Sequence, residues 1–263
     1  MNAIDLSRYA SAKPTLSEPT PLFQEPGHGV YWLGLEANTA FRCNTYLIDD
    51  QREGYLIDPG GRPGFAQIKR RVEQVMPTGQ VKGMVLCHGD PDVAASMLDW
   101  LDMHPGMLVY SSAHTHALLP HYGKPRYPKA DINEQPSLAL PSGVALKFIE
   151  APFLHFSGAF ATYDPRSKFL FSGDIWAALG MDWHLVAEDF EGLICKMEMF
   201  HTDYMASNKA CRGFARKLQG LEIAAILPQH GSIIQGKDVA TAIAYLEELP
   251  CGLDLLYLSD EFE

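Results

Sequence analysis

Met84-Val85-Leu86-Cys87-His88-Gly89-Asp90-Pro91-Asp92 runs from an apolar stretch with strand character straight into three metal-type side chains. A strand ending in such a loop presents its donors at a sheet edge, where open α/β sheets place their ligands. Three later positions repeat the pattern. His155 follows the apolar run Leu146 to Leu154, Asp174 closes Lys168-Phe169-Leu170-Phe171-Ser172-Gly173, and His230 closes Ile223-Ala224-Ala225-Ile226-Leu227-Pro228-Gln229. Each residue alone has an ordinary explanation. Asp90 before Pro91 suits a helix N-cap, Asp92 a first turn, Asp174 a cap and His230 a turn before Gly231; His88 and His155 suit core histidines bonded to backbone. Six hard or borderline donors at strand exits are better explained together, by two cations bridged by one carboxylate.

Around these exits the chain alternates. Gly29 to Leu35, Arg42 to Ile48 and Gly54 to Ile57 read as a strand meander, followed by a helix over Phe65 to Val75. The strand before His88 leads to a helix from about Asp92 to Met103 and a strand at Met107 to Tyr110. A second half follows, with strands near Ala145 to Glu150, Ala159 to Tyr163 and Lys168 to Phe171. It ends in a helix at Ser207 to Gln219, a strand at Ile223 to Leu227 and a helix at Lys237 to Leu249. His121 to Pro141, rich in Pro and charge, reads as a surface excursion. Two such halves predict an α/β fold with helices outside a pair of facing sheets.

At 263 residues, one α/β unit accounts for the chain, with residues 1–28 as an N-terminal extension. No stretch is apolar for long enough to span a membrane, and residues 1–26 lack the apolar run of a secretory signal, so a cytoplasmic location is expected. A net charge of −11 with no basic run argues against nucleic acid and anionic membranes as partners. The five cysteines have no CxxC spacing, which argues against a disulfide framework or a cysteine zinc site.

The order His88-Gly89-Asp90-Pro91-Asp92-Val93, then His155, Asp174 and His230, resembles the metallo-β-lactamase superfamily, and within it the diiron domain of flavodiiron proteins, whose pattern is H-x-E-x-D-H, H, D, H. Leu56-Ile57-Asp58-Pro59-Gly60 is similar to the superfamily's strand-turn segment, and the likeness spans about Gly29 to Gln235. The resemblance implies a four-layer αββα sandwich holding two oxo- or hydroxo-bridged iron ions. One iron would take His88, Asp90 and His155, the other Asp92 and His230, with Asp174 bridging. A carboxylate at Asp90, where the superfamily's zinc hydrolases carry histidine, favours iron over zinc. Asp90 is one methylene shorter than the family's Glu. Val93 stands where the pattern has a histidine, which would leave the second iron one protein donor short and open to a diatomic ligand.

Flavodiiron proteins continue into a flavodoxin-like domain that carries FMN, and no such domain or FMN is expected between Met1 and Glu263. The resemblance therefore points to stand-alone diiron proteins that bind dioxygen and act in sensing, with a signalling partner or an external electron donor, and a homodimer conceivable. The alternatives are a dioxygen or nitric oxide reductase fed by a separate donor and a two-zinc hydrolase. Val93, His201 and Tyr204 are candidates for the distal pocket, and Trp176 and Trp183 are either its wall or core. His114 and His116 read as a solvated helix start after Ser111-Ser112-Ala113. His28, His104, His121 and His184 read as surface residues.

Overall fold

The computed structural model describes residues 6–10, 15–34, 41–180, 184–236 and 238–257. Seven strands form one sheet in chain order: β1 (Thr20–Glu25), β2 (His28–Trp32), β3 (Tyr46–Asp50), β4 (Glu53–Ile57), β5 (Val81–Val85), β6 (Leu108–Ser111) and β7 (Lys129–Asp131). The other six are β8 (Ser137–Ala139), β9 (Ala145–Glu150), β10 (Phe160–Asp164), β11 (Phe169–Gly173), β12 (Ala225–Pro228) and β13 (Ile234–Gln235). They form a second sheet in the order β13-β12-β11-β10-β9-β8. The helices are α1 (Phe65–Val75), α2 (Pro91–Ala94), α3 (Met97–Met103), α4 (Ala113–Leu118), α5 (Glu191–Tyr204), α6 (Asn208–Lys217), α7 (Asp238–Glu248) and α8 (Leu253–Leu256).

Period-two alternation sorts the side chains into layers. Tyr46, Ile48, Tyr55, Ile57 and Val85 of the first sheet meet Phe148, Phe160, Phe171 and Leu227 of the second in one apolar core. The intervening Leu47, Leu56 and Met84 face outward onto Ile68 and Val72 of α1 and Trp100 and Leu101 of α3. Leu170 and Ile226 of the second sheet face outward onto Met197 and Phe200 of α5, Phe214 of α6 and Leu246 of α7. Both sheets are therefore covered on both faces, which gives the expected four-layer αββα sandwich. It also explains why β10 and β11 are buried at every position.

The two halves repeat one device. β4 pairs in parallel with β5, and β11 pairs in parallel with β12, each across a helical crossover. The parallel strands of each half therefore exit at one end, and the candidate donors follow those exits.

Several expectations are corrected. The extension over residues 1–28 contributes β1, an edge strand antiparallel to β2. The single helix expected over Asp92 to Met103 is split into α2 and α3, because Ser96 bonds backward, its N–H to Gly60 O and its Oγ to Pro59 O, both at 3.0 Å. The excursion His121 to Pro141 supplies the edge strands β7 and β8, each with one buried residue. Helix α5 was not expected at all. Its buried Leu193, Met197, Phe200 and His201 have helical spacing, but exposed Cys195 and Met199 on the outer face blur the stripe.

Two histidines assigned to the surface are buried. His116 lies under β7, with Nε2 3.0 Å from Ala130 O and Nδ1 3.1 Å from Tyr127 Oη, and burial lowers its pKa. His28 sits between two buried carboxylates, Nδ1 2.8 Å from Asp50 Oδ2 and Nε2 2.8 Å from Asp164 Oδ2. Both ring nitrogens then carry protons, and the imidazolium ties β2 and β3 of one sheet to β10 of the other. The register places this tie away from the donors. Asp50 pairs with Glu53, at the start of β4, and Asp164 with Phe169, at the start of β11.

Candidate metal centre

The candidate donors fall into two groups about one carboxylate. In the first, His88 Nε2 lies 3.6 Å and His155 Nε2 3.5 Å from Asp90 Oδ2. The same two nitrogens lie 3.5 and 3.0 Å from Asp174 Oδ2. In the second group His230 Nε2 lies 3.3 Å from Asp92 Oδ2, and 3.8 Å from the other oxygen of Asp174, Oδ1. Asp174 thus offers one oxygen to each group. The structure adds a residue that the sequence reading omitted, Cys43, whose Sγ lies 3.8 Å from Asp92 Oδ2. Cys43, Asp92 and His230 converge as one potential ligand set, and His88, Asp90 and His155 as another.

Local structure fixes these side chains. His88 follows β5, and Asp90 and Asp92 occupy the entry to α2, with Asp90 as its N-cap residue. His230 Nδ1 donates to Arg42 O at 3.2 Å, which leaves Nε2 turned toward Asp92. The following Gly231 has φ +86°, and a Cβ there would stand 2.7 Å from Ala178 Cβ and 2.8 Å from Ala178 O. Gly231→Ala is expected to destabilise the fold by about 1–3 kcal/mol or more and to displace His230. Thermal unfolding together with metal affinity checks this, and an unchanged variant in both would remove the packing argument.

The charges agree with a place built for cations. Burial works against ionisation of Asp174, but the imidazoles of His88, His155 and His230 hold its carboxyl well below the usual carboxylate range. Burial likewise opposes protonation of His88, yet Asp174 and Asp90 push its pKa up to about 9. His88 Nε2 and Asp174 Oδ1 are buried with no hydrogen-bond partner. Buried polar atoms are rarely left so, and a cation between the groups would satisfy both. With three imidazoles, three carboxylates and a thiol, the residues fit a pair of metal ions.

A cavity of about 380 Å³ opens onto the groups, lined by Asp90, Asp92, His155, Asp174 and His230 and walled by Phe41, Pro91, Phe200 and Tyr204. Phe200 and Tyr204 stack at 4.6 Å, and both rings meet His155 edge-on. Of the three distal-pocket candidates, Tyr204 lines this cavity. Val93 does not, being fully buried in the core between the first sheet and its helices. His201 is also buried beneath the wall, its Nδ1 donating to Met197 O and its Nε2 accepting from Trp176 N, both at 2.9 Å. Burial brings its pKa down to about 4, so it is a neutral structural histidine. Trp176 belongs to the core, its Nε1 donating to Ala242 O, and Trp183 lies outside the described residues. Phe41 and Phe200 were missed; only the spacing of Phe200 with Met197 and His201 signals it.

Known proteins resemble this arrangement. The structure of the peroxy diiron species of the chemotaxis sensor ODP superposes with a TM-score of 0.80 at 31% identity, over 91% of this chain and 98% of that one. The apo state of the sensor from T. denticola gives 0.77 at 32% identity, over 90% and 97%. Among curated sequences, the anaerobic nitric oxide reductase flavorubredoxin of Aeromonas salmonicida is 23% identical over 78% of this chain. The chain spans only 28% to 42% of the length of the curated relatives it matches. Among the described residues, no helix is long and apolar enough to cross a membrane. A family model described as "ODP family beta lactamase" matches residues 41–231, every candidate donor from Cys43 to His230 included, and the chain belongs to that metallo-β-lactamase-like family.

Proposed function

We propose that this chain holds two iron ions at the paired donor groups and binds dioxygen there, as a sensor rather than a catalyst of turnover. The observation that carries the reading is the division of Asp174, one oxygen toward His88 and His155 and the other toward His230. Membership of the ODP family and the likeness to a chemotaxis sensor with a diiron centre support it. Iron(II) in such a place supplies electrons to a diatomic ligand, which zinc cannot do.

This chain's own residues do the rest. His88, Asp90 and His155 would hold one ion, His230 and Asp92 the other, and Asp174 would share its charge between them. Phe41, Phe200 and Tyr204 give the cavity an aromatic wall beside these groups.

Anaerobic loading with iron(II) is expected to give about two irons per chain, since the cavity-facing donors are imidazoles and carboxylates. The reduced, loaded protein should then change its optical spectrum on exposure to air without sustained oxygen consumption. Retention of two zincs that resist exchange, with hydrolysis of an ester or thioester, would replace this reading with a hydrolase. Sustained oxygen or nitric oxide consumption with an added electron donor would make the protein a reductase.

A further inference from the structure

We infer that Cys43 is a protein ligand of the second cation position, completing with His230 and Asp92 a sulfur-nitrogen-oxygen set; this rests on the two-cation reading above. The sequence pattern leaves that position one donor short at Val93, and the structure turns Val93 into the core. A different side chain stands beside the group. Donors bound to one ion at about 2.0–2.3 Å lie roughly 3–4 Å apart. Cys43 Sγ is 3.8 Å from Asp92 Oδ2, and His230 Nε2 is 3.3 Å from the same oxygen. Asp174 Oδ1 adds an independent indication: it is on a side chain 5% exposed, has no hydrogen-bond partner and lies 3.8 Å from His230 Nε2.

The backbone makes this placement durable. Cys43 and His230 form an isolated antiparallel bridge. The next residue, Asn44, ties the same segment down, its N–H bonded to Gln229 O and its Nδ2 donating to Pro228 O at 2.9 Å and Gly231 O at 2.8 Å. Cys43 itself is buried and in no disulfide. On binding, the S–H bond breaks, a sulfur–metal bond forms, the proton passes to buffer and no electron moves. The first position keeps two nitrogens and an oxygen, whereas the second gains a soft donor that favours zinc and iron(II) over harder cations.

The test uses the full chain and zinc alone. X-ray absorption at the zinc edge is expected to show a sulfur shell at about 2.3 Å, at about half a sulfur per zinc when both positions are filled. Cys43→Ser should lose that shell and hold one zinc as the wild type does. Its other zinc should bind at least about tenfold more weakly, because even an outer-shell partner is worth about 10–100-fold. Two zincs surrounded by nitrogen and oxygen only in the wild type would overturn the cysteine ligand and leave the two-cation reading standing. A sulfur shell that persists in Cys43→Ser would also overturn it. Fewer than two zincs in the wild type would overturn both.

Discussion

Asp174→Ala is expected to empty both cation positions at once, whereas His230→Ala empties only the second. The difference follows from the geometry. Asp174 Oδ2 is 3.0 Å from His155 Nε2 and 3.5 Å from His88 Nε2, while Oδ1 faces His230 Nε2 at 3.8 Å. Among the described residues, no other carboxylate is paired with both groups. Asp90 approaches His88 and His155 only, and Asp92 approaches His230 and Cys43. Removing Asp174 therefore takes one donor from each ion and also the negative charge that lets two like-charged cations stand side by side. Asp174→Asn, which keeps one carbonyl oxygen without the charge, should fall between wild type and Ala. Metal content after loading at equal iron(II), with far-ultraviolet circular dichroism as the folding control, reads the result. Full occupancy of both positions in Asp174→Ala would show that this carboxylate is no bridge and that capping is its role.

How much of this was legible depends on how local each signal is. The candidate donors His88, Asp90, Asp92, His155, Asp174 and His230 each follow an apolar run, so strand exit and candidate lie in one readable stretch. The sandwich was legible for the same reason, since β9 alternates and β11 opens on the apolar run Phe169-Leu170-Phe171. Cys43 left no such trace. It precedes its strand, and its partner Asp92 is 49 residues away, so only the tertiary bridge to His230 brings the three together. Val93 misled for the converse reason: its position in the pattern is that of a ligand, but an isopropyl group at a helix start is drawn into the core. His201 sits in a helix whose exposed Met199 and Tyr204 disguise the buried stripe. His28, between Gly27 and Gly29, has a turn-like context, and its carboxylate partners lie 22 and 136 residues along the chain.

That same residue gives the largest expected effect on stability. His28→Ala should cost about 3–5 kcal/mol, because it leaves two buried carboxylates facing each other without the cation between them. Against a total of about 5–15 kcal/mol this is a substantial share. Asp50 and Asp164 are fully buried, and Ser142, Ser167 and the more distant Arg166 also contact them. The pH dependence has a definite sign. Burial opposes charging of His28, but Asp164 and Asp50 prevail and raise its pKa. Its contribution is therefore full below the unfolded value of about 6.5 and is lost as pH rises through the folded one. Burial opposes ionisation of Asp164 as well, and the bond to His28 outweighs it, lowering the pKa. That contribution is present above about 3.8 and fades as pH falls. The stability gap between wild type and His28→Ala should thus be widest between about pH 4 and 6.5 and narrow toward alkaline pH. His28→Gln, uncharged but able to hydrogen-bond, should lie between the two with a flatter profile. Urea unfolding across that range measures both quantities, and a gap that stayed constant from acid to alkali would remove the imidazolium from the account. Zinc affinity of the folded variant should match the wild type, since the tie sits at strand ends that the cation donors do not occupy.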